Sequence, residues 1–338
     1  MSQRPSGVQV YAYALCKELH DSGIDFSFLV PKKAQIEPPD YEVEIHRWGN
    51  LDGHLWEQIE LPCYIRKQNA FLLNLCNSGP IRLKNQATVV HDLAFFKNPS
   101  WFHPAFAMWY RFMIPRMARN CKQVLTVSNS IKSELVETLN IPVDSITVLG
   151  NKVDNRLLQA NAKPPEGLPE GFSEFYLMVG TNDPRKNFEF AASCIAEQLN
   201  KKVVMVGGNH RNFRQTVTKE SNNLIRVGHI SLENLKWLYM NASALVSPSL
   251  YEGFGIPNLE AMALECPIIC SDIPVFREVC DKAALYFNPL VTAELKACIE
   301  TVEVDLNGRK ERQSLGKAIF TSYQTEDRAK LISSIIKQ

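Results

Sequence analysis

Short apolar runs alternate with longer segments of helical periodicity along most of the chain. Before residue 155 these runs are "IDFSFLV", "ATVV", "QVLTV" and "SITVL", and after it they are "FYLMV", "KVVMV", "LIRV", "ALVS", "PIICS" and "AALYF". Continuous apolar runs of this length are typical of parallel strands that are covered on both faces. Because helical segments separate the runs, the pattern predicts the α/β class, with two doubly wound parallel sheets.

Local residue choices predict where several helices begin and end. The first helix, "VQVYAYALCKELHD", should end at Gly23, because glycine is favoured just after a helix. Ser128 or Ser130 should cap the helix that follows "QVLTV", and Ser231 should cap "LENLKWLYMN". The pattern also predicts a helical turn at "IPVFREVC".

The segment "QANAKPPEGLPEG" has no periodicity and is rich in proline, glycine and alanine, so it is predicted to be a linker. It separates an N-terminal domain, residues 1–155, from a second domain at 156–315. A doubly wound domain usually opens with a strand, whereas this chain opens in a loop before its first helix. Either that strand was lost, or the start codon is assigned downstream of it. We favour the second interpretation.

Composition narrows the class of protein. The chain has 338 residues, and its net charge of +1 gives no reason to expect a nucleic-acid partner. No apolar run is long enough to span a membrane, and the first residues lack the apolar core of a signal peptide. The 9 cysteines form no CxxC pair, so we expect reduced core residues in a cytoplasmic protein.

The segment "SLYEGFGIPNLEAMALECP" combines a glycine turn, a proline and two carboxylates. Gly253 and Gly255 can adopt positive φ and allow a ligand to approach the backbone. Pro257 suits the first turn of a helix, so the amides of residues 255–258 are predicted to face an anion.

The two glutamates of this segment should not face that anion directly, because like charges repel. Glu260 is predicted to accept hydrogen bonds from a ribose diol, and Glu252, before the turn, from hydroxyls of another sugar. Alternatively, Glu260 does no more than stabilise the helix dipole in the first turn.

Two cations follow a predicted strand in "GTNDPRKN". Positive charge at the start of a helix is unfavourable unless an anion lies between the cations and the helix. Arg185 and Lys186 are therefore predicted to hold a diphosphate, although a solvated basic loop would leave the same pattern. His91, at the end of "ATVV", could donate to a sugar hydroxyl or be a core histidine. "VGHIS", residues 227–231, could present backbone groups to a base.

These residues resemble the family 4 retaining glycosyltransferases, which have the GT-B fold. "EGFGIPNLE" matches their Glu-x7-Glu motif, "RKN" their phosphate-binding loop, and "HDLAFF" and "TVSNSIKSEL" other segments in the same order. The resemblance covers nearly the whole chain. It implies an N-terminal acceptor-binding domain and a C-terminal nucleotide-sugar-binding domain, two Rossmann-like lobes facing across a cleft. It also implies that residues 316–338 form a last helix that returns to the first domain.

The resemblance also implies roles for individual residues. Glu260 would bind the donor ribose and Glu252 the donor hexose, while Arg185 and Lys186 would stabilise the departing diphosphate. His91 would sit near the hexose. The remaining donor-binding positions would be Gly7, Gly253, Phe254, Gly255, Ile256 and Ile230, with Gly7 offering its amide to the phosphates and Ile230 lying beside the base. The family transfers a hexose with retention from a GDP- or UDP-sugar to a glycan or lipid-linked acceptor, without a metal or cofactor, in polysaccharide pathways.

Other protein classes remain open at this point. A nicotinamide-dependent oxidoreductase would need G-x-G-x-x-G after a strand, which "VGG" at 206–208 does not supply. A sugar-nucleotide epimerase, a phosphorylase and an inactive nucleotide-sugar- or glycan-binding relative would share the fold.

Residues 101–122 mix tryptophan, phenylalanine and methionine with three arginines and a lysine. A basic, aromatic helix of this kind can lie on an anionic bilayer, which predicts peripheral contact with the inner face of the membrane. The alternative is an interdomain or core helix whose arginines extend their charged ends to water.

Overall fold

The computed structural model describes residues 7–168, 172–208 and 222–337. The last three residues of the predicted linker, 169–171, lie outside these ranges, and so do the six residues before the first helix. The described chain forms two compact units. Unit 1 comprises the residues up to Leu93, Met108–Gly150 and the residues from Glu326, and unit 2 comprises Ala94–Ala107 and Asn151–Thr325.

All strand pairs in unit 1 are parallel. A two-stranded sheet pairs β1 with β2, and a four-stranded sheet has the order β3-β4-β5-β6. Every residue of β4 is buried, as its apolar run predicts. The strands are β1 Ser27–Val30, β2 Glu44–Arg47, β3 Leu72–Asn74, β4 Gln86–Val90, β5 Gln123–Thr126 and β6 Ile146–Val148.

Unit 2 contains a six-stranded parallel sheet of order β12-β11-β10-β7-β8-β9. Its strands are β7 Phe175–Val179, β8 Lys202–Val206, β9 Leu224–Gly228, β10 Ala244–Ser247, β11 Ile268–Ser271 and β12 Ala284–Phe287. The chain order reverses between β7 and β10, which are neighbours. Ligands of such sheets bind beyond the carboxyl ends of the strands at a reversal of this kind. The loops after β7 and β10 are therefore the first place to look for a site.

Helices separate most of the strands of these sheets along the chain. They are α1 Gly7–Asp21, α2 Gly53–Leu55, α3 Leu61–Gln68, α4 Ala94–Lys97, α5 Pro104–Asn120, α6 Asn129–Leu139, α7 Asn155–Gln159, α8 Phe188–Ala192, α9 Leu232–Asn241, α10 Ile256–Ala263, α11 Pro274–Cys280, α12 Thr292–Val304, α13 Leu306–Thr325 and α14 Arg328–Lys337. A π-helical turn, Trp56–Glu60, joins α2 to α3, so residues 53–68 run as one helical segment.

The predicted helix caps are present. Gly23 adopts φ +71° after α1, Ser128 accepts from the Ile131 amide at 3.2 Å, and Ser231 accepts from the Asn234 amide at 3.3 Å. The prediction that residues 316–338 form a single last helix is wrong, because two helices, α13 and α14, share this segment. Asp327 breaks the run, because its carboxylate accepts from the Lys330 amide at 2.9 Å and so starts a new helix.

The cysteines are free thiols, as predicted, but they are not all core residues. Cys63 and Cys76 are exposed and Cys121 is half-buried, while the other six are buried. Among the described ranges, no helix combines the length and the hydropathy that crossing a membrane requires.

Candidate active site

The loop after β7 places two cations side by side. Asp183 caps the short turn Pro184–Lys186, since its carboxylate accepts from the Arg185 amide at 3.1 Å and from the Thr181 hydroxyl at 2.6 Å. Gly180 has φ +149°, and a β-carbon there would lie 3.1 Å from Cε of Lys186. Glycine thus leaves the space through which the lysine side chain passes.

Both predicted cations converge on Glu252. The Lys186 ammonium lies 2.6 Å from Oε1, and Nη1 of Arg185 donates to Oε2 at 3.3 Å. The Ser249 hydroxyl also donates to Oε1 at 2.9 Å. With Asp183, the group holds two cations and two carboxylates. Its affinity for an anion would therefore come from positioned donors rather than from net charge.

Burial of Glu252 opposes its charged form, but Lys186 and then Arg185 outweigh that penalty and hold the pKa of the carboxyl below its usual value. The ionised carboxylate in turn fixes both cations in a largely buried place. Glu252 is thus an ion-pair partner in this structure, while its acceptance of hydrogen bonds from sugar hydroxyls stays a prediction.

The turn before α10 requires glycine. Gly255 has φ +96°, and a β-carbon there would lie 2.6 Å from Cε1 of Phe276. Gly253 and Phe254 are buried, and the Phe254 ring packs edge-on against Tyr323 at 5.2 Å. Ile256 is the first residue of α10.

The prediction that residues 255–258 all present amides is wrong in two places. Pro257 has no N–H, and the Asn258 amide already donates to the Gly255 carbonyl at 2.9 Å. The amides of Gly255 and Ile256 are left as the candidates for binding an anion. Sequence reasoning also missed the side chain of Asn258. It is fully buried and accepts from the Ser247 hydroxyl at 2.6 Å, while its Nδ2 has no partner among the described residues.

Glu260 lies one turn into α10 and is half-buried. The Tyr239 hydroxyl donates to its Oε2 at 2.7 Å, a contact between α9 and α10 that the sequence does not reveal. Burial raises the pKa of Glu260 to about 7, although the hydrogen bond from Tyr239 acts in the opposite direction. Donors that approach this carboxylate, such as hydroxyls, would stabilise its charged form.

His91 follows β4 in unit 1 and is buried. Its Nε2 lies 2.8 Å from the Leu75 carbonyl, and its ring packs edge-on against Tyr11 at 4.7 Å. Burial lowers the pKa of His91, despite the Leu75 carbonyl and the charge of Asp92. A carbonyl pairs only with an N–H, so neutral His91 carries its proton on Nε2 and offers Nδ1 as an acceptor.

The two other predicted residues make no contacts that assign a role. Gly7 is the exposed first residue of α1, and a β-carbon there would meet nothing within 4 Å. Ile230 is half-buried and directly precedes the cap of α9. In unit 2 the structure thus brings Arg185, Lys186 and Glu252 into contact, whereas His91 and Gly7 belong to unit 1.

Two family models divide the chain between them. The model "Glycosyltransferase Family 4" matches residues 5–156, and "Glycosyl transferases group 1" matches residues 160–320. The chain belongs to glycosyltransferase family 4. The family model at residues 160–320 includes all the unit 2 residues of the candidate site.

A curated relative of this family-4 glycosyltransferase is the O-antigen chain mannosyltransferase RfbU of Salmonella typhimurium. The two are 35% identical over 228 residues, which cover 65% of this chain and 62% of that relative. The aligned stretch therefore spans less than two thirds of the relative's length.

Solved structures share the GT-B fold of this glycosyltransferase. Sucrose-phosphate synthase from Thermosynechococcus elongatus superposes with a TM-score of 0.72 at 18% identity, covering 98% of this chain and 93% of that one. Anabaena HepE, solved in complex with UDP and glucose, gives a TM-score of 0.72 at 15% identity, covering 99% and 97%. At these identities the likeness shows the fold alone.

Proposed function

We propose that this protein is a retaining hexosyltransferase that moves a mannose- or glucose-type sugar from a GDP- or UDP-sugar to a glycan or lipid-linked acceptor. The observation that carries this proposal is the contact of Arg185 and Lys186 with Glu252 beside the Gly253–Gly255 turn. The relative named as an O-antigen chain mannosyltransferase and the HepE complex with UDP and glucose support the donor class.

The leaving group is a nucleoside diphosphate, on which negative charge develops as the anomeric C–O bond breaks. The Arg185 guanidinium and the Lys186 ammonium stabilise that charge, together with the amides of Gly255 and Ile256. Because these positioned donors belong to the protein itself, the proposed reaction needs no metal. Glu260 accepts from the ribose hydroxyls, Ile230 lies beside the base, and Gly7 offers its amide to the phosphates.

Attack takes place on the face from which the diphosphate departs. The acceptor hydroxyl oxygen forms the new bond to the anomeric carbon, and its proton passes to an oxygen of the leaving phosphate. No covalent sugar–enzyme intermediate is formed. His91 offers Nδ1 to a sugar hydroxyl, because its Nε2 proton is already donated to the Leu75 carbonyl.

A screen of GDP- and UDP-sugars tests the proposal. One donor should be hydrolysed slowly in the absence of acceptor, with and without EDTA. The matching nucleoside diphosphate should raise the melting temperature while NAD does not, since a ligand that binds only the folded state stabilises it. A melting temperature raised by NAD, or by neither nucleoside diphosphate, would contradict the proposal. Binding without turnover would instead indicate an inactive relative.

We further propose that unit 1 contacts the membrane through four exposed apolar residues, here called the apolar patch: Leu55, Ile59, Met108 and Phe112, which are 63%, 53%, 70% and 45% exposed. The His54 ring lies 5.2 Å from the Trp109 ring, so the two helical segments that carry these residues are neighbours. The Arg116 guanidinium stacks 3.8 Å from the Phe112 ring and adds positive charge at its edge. An apolar surface with a cation at its edge suits anionic lipid.

Liposome co-sedimentation tests this contact. The protein should pellet with vesicles containing phosphatidylglycerol, and the double substitution Met108→Asp with Phe112→Asp should abolish pelleting, because it places two negative charges against the lipid. Leu290→Asp is the matched control, since Leu290 is 75% exposed but lies in unit 2. If the parent stays in the supernatant with anionic vesicles, the membrane proposal is wrong.

A further inference from the structure

A five-residue loop after β3, residues 75–79, fixes His91. Its Leu75 carbonyl holds the imidazole Nε2, and its Asn77 side chain accepts from the His91 amide at 2.5 Å. Asn77 itself has φ +57°, a left-handed conformation that asparagine tolerates better than most residues. This loop therefore lies at the carboxyl edge of the four-stranded sheet, next to a proposed reaction-centre residue.

The same loop holds a carboxylate that the mechanism above does not use. The Ser78 hydroxyl donates to Oε2 of Glu57 at 2.7 Å. The side-chain Nε2 of the neighbouring Gln58 donates both to Oε1 of Glu57 at 2.9 Å and to the Gly79 carbonyl at 3.0 Å. Nδ1 of His54 lies 3.4 Å from Oε1. The Glu57 side chain remains 16% exposed, so it is held in place and still open to a ligand.

Aromatic side chains flank this carboxylate. The His54 ring lies 5.2 Å from the ring of Trp109 and 6.0 Å from that of Tyr110. Burial, followed by the nearby charge of Glu57, raises the pKa of Tyr110 to about 12, so its hydroxyl keeps its proton. The indole Nε1 of Trp109 is buried and has no hydrogen-bond partner among the described residues. An orphaned donor of this kind is costly and calls for a partner.

We propose that Glu57, His54 and Trp109 bind the terminal sugar of the acceptor, and that this sugar is a neutral hexose linked to a lipid. A carboxylate accepts from sugar hydroxyls and repels phosphate, while aromatic rings pack against the apolar face of a pyranose. The apolar patch flanks this site with Leu55 and Met108, where a lipid would continue from the sugar. This inference rests on the proposed function and supplies its acceptor class.

Kinetics with GDP-mannose as donor and octyl α-mannoside as acceptor test the inference. Glu57→Gln keeps the shape but removes the charge, so the KM for the octyl mannoside should rise about tenfold to a hundredfold. Hydrolysis of GDP-mannose without acceptor, and the thermal shift with GDP, should stay as in the parent. Glu137→Gln, an exposed carboxylate of the same unit, is the matched control. An unchanged KM in Glu57→Gln overturns the inference.

Photo-crosslinking with the parent protein does not depend on how a variant folds. Octyl α-mannoside bearing a diazirine on the sugar should label peptides that contain residues 54–59, 75–79 or 109–112, and excess unlabelled octyl mannoside should suppress the labelling. Labelling that is confined to other peptides overturns the inference. The absence of any labelling, together with the absence of sugar transfer to octyl mannoside, also overturns it. Failure of the proposed function is distinct, since the parent would then neither hydrolyse a donor nor bind a nucleoside diphosphate.

Discussion

Replacing Arg185 with alanine should lower kcat by about a hundredfold to a thousandfold, the usual effect of removing a charged donor from a developing negative charge. Nucleotide affinity should fall much less, because Lys186 and the turn amides still hold the ground-state diphosphate. The Arg185 side chain is 12% exposed and already held by Glu252, so its N–H groups are in place before the nucleotide-sugar binds. Steady-state kinetics and a GDP or UDP titration would measure the two effects separately.

Arg277→Ala provides the matched control for that experiment. Arg277 belongs to the same unit and also pairs with a carboxylate, Asp272, at 2.6 Å, but its side chain is 53% exposed. Exposed ion pairs contribute about 0–1 kcal/mol to stability, so this variant should behave like the parent. If kcat of Arg185→Ala equals that of the parent, the guanidinium does not stabilise the leaving group.

Replacing Arg328 with alanine should destabilise unit 1 by about 3 kcal/mol, at the lower end of the range for breaking a buried ion pair. Arg328 is 1% exposed, and its Nε and Nη2 lie 2.9 and 2.6 Å from Oε2 of Glu18. Its guanidinium also lies 5.6 Å from the Tyr11 ring, which packs against His91. The substitution would remove the Arg328–Glu18 ion pair and open a cavity between α1 and α14.

Hydrogen exchange measured by mass spectrometry would detect this loss, because it reports on unit 1 separately from unit 2. Exchange in α1 and α14 should accelerate, whereas the six-stranded sheet of unit 2 should keep its protection. Lys330→Ala is the control, since Lys330 is an exposed residue of the same helix. Unchanged exchange in α1 would mean that the Glu18 pair does not hold the helix.

The long apolar strands could be predicted from the sequence because burial on both faces leaves an unbroken apolar run. β4 is buried along its whole length, and four of its five residues, 87–90, lie within a predicted strand. β2 and β3 were missed, because they are four and three residues long and no residue of either is fully buried. In short strands such as these, the pairing partner rather than the apolar pattern decides the structure.

The site could be predicted in its residue types but not in its contacts. Gly255 and the cations at 185–186 were recognisable, because a tight turn and an anion site demand those residue types. The contact of Lys186 with Glu252 and that of Tyr239 with Glu260 join distant segments, so no local pattern reveals them. Glu57 was missed for the same reason, since its partner Ser78 lies on another element.

A crystal structure with bound GDP or UDP tests the central claim most directly. We expect pyrophosphate oxygens within hydrogen-bonding distance of Arg185, Lys186 and the amide of Gly255, with the ribose hydroxyls bound to Glu260. A nucleotide bound away from the loops after β7 and β10, with the Lys186–Glu252 pair undisturbed, would contradict it.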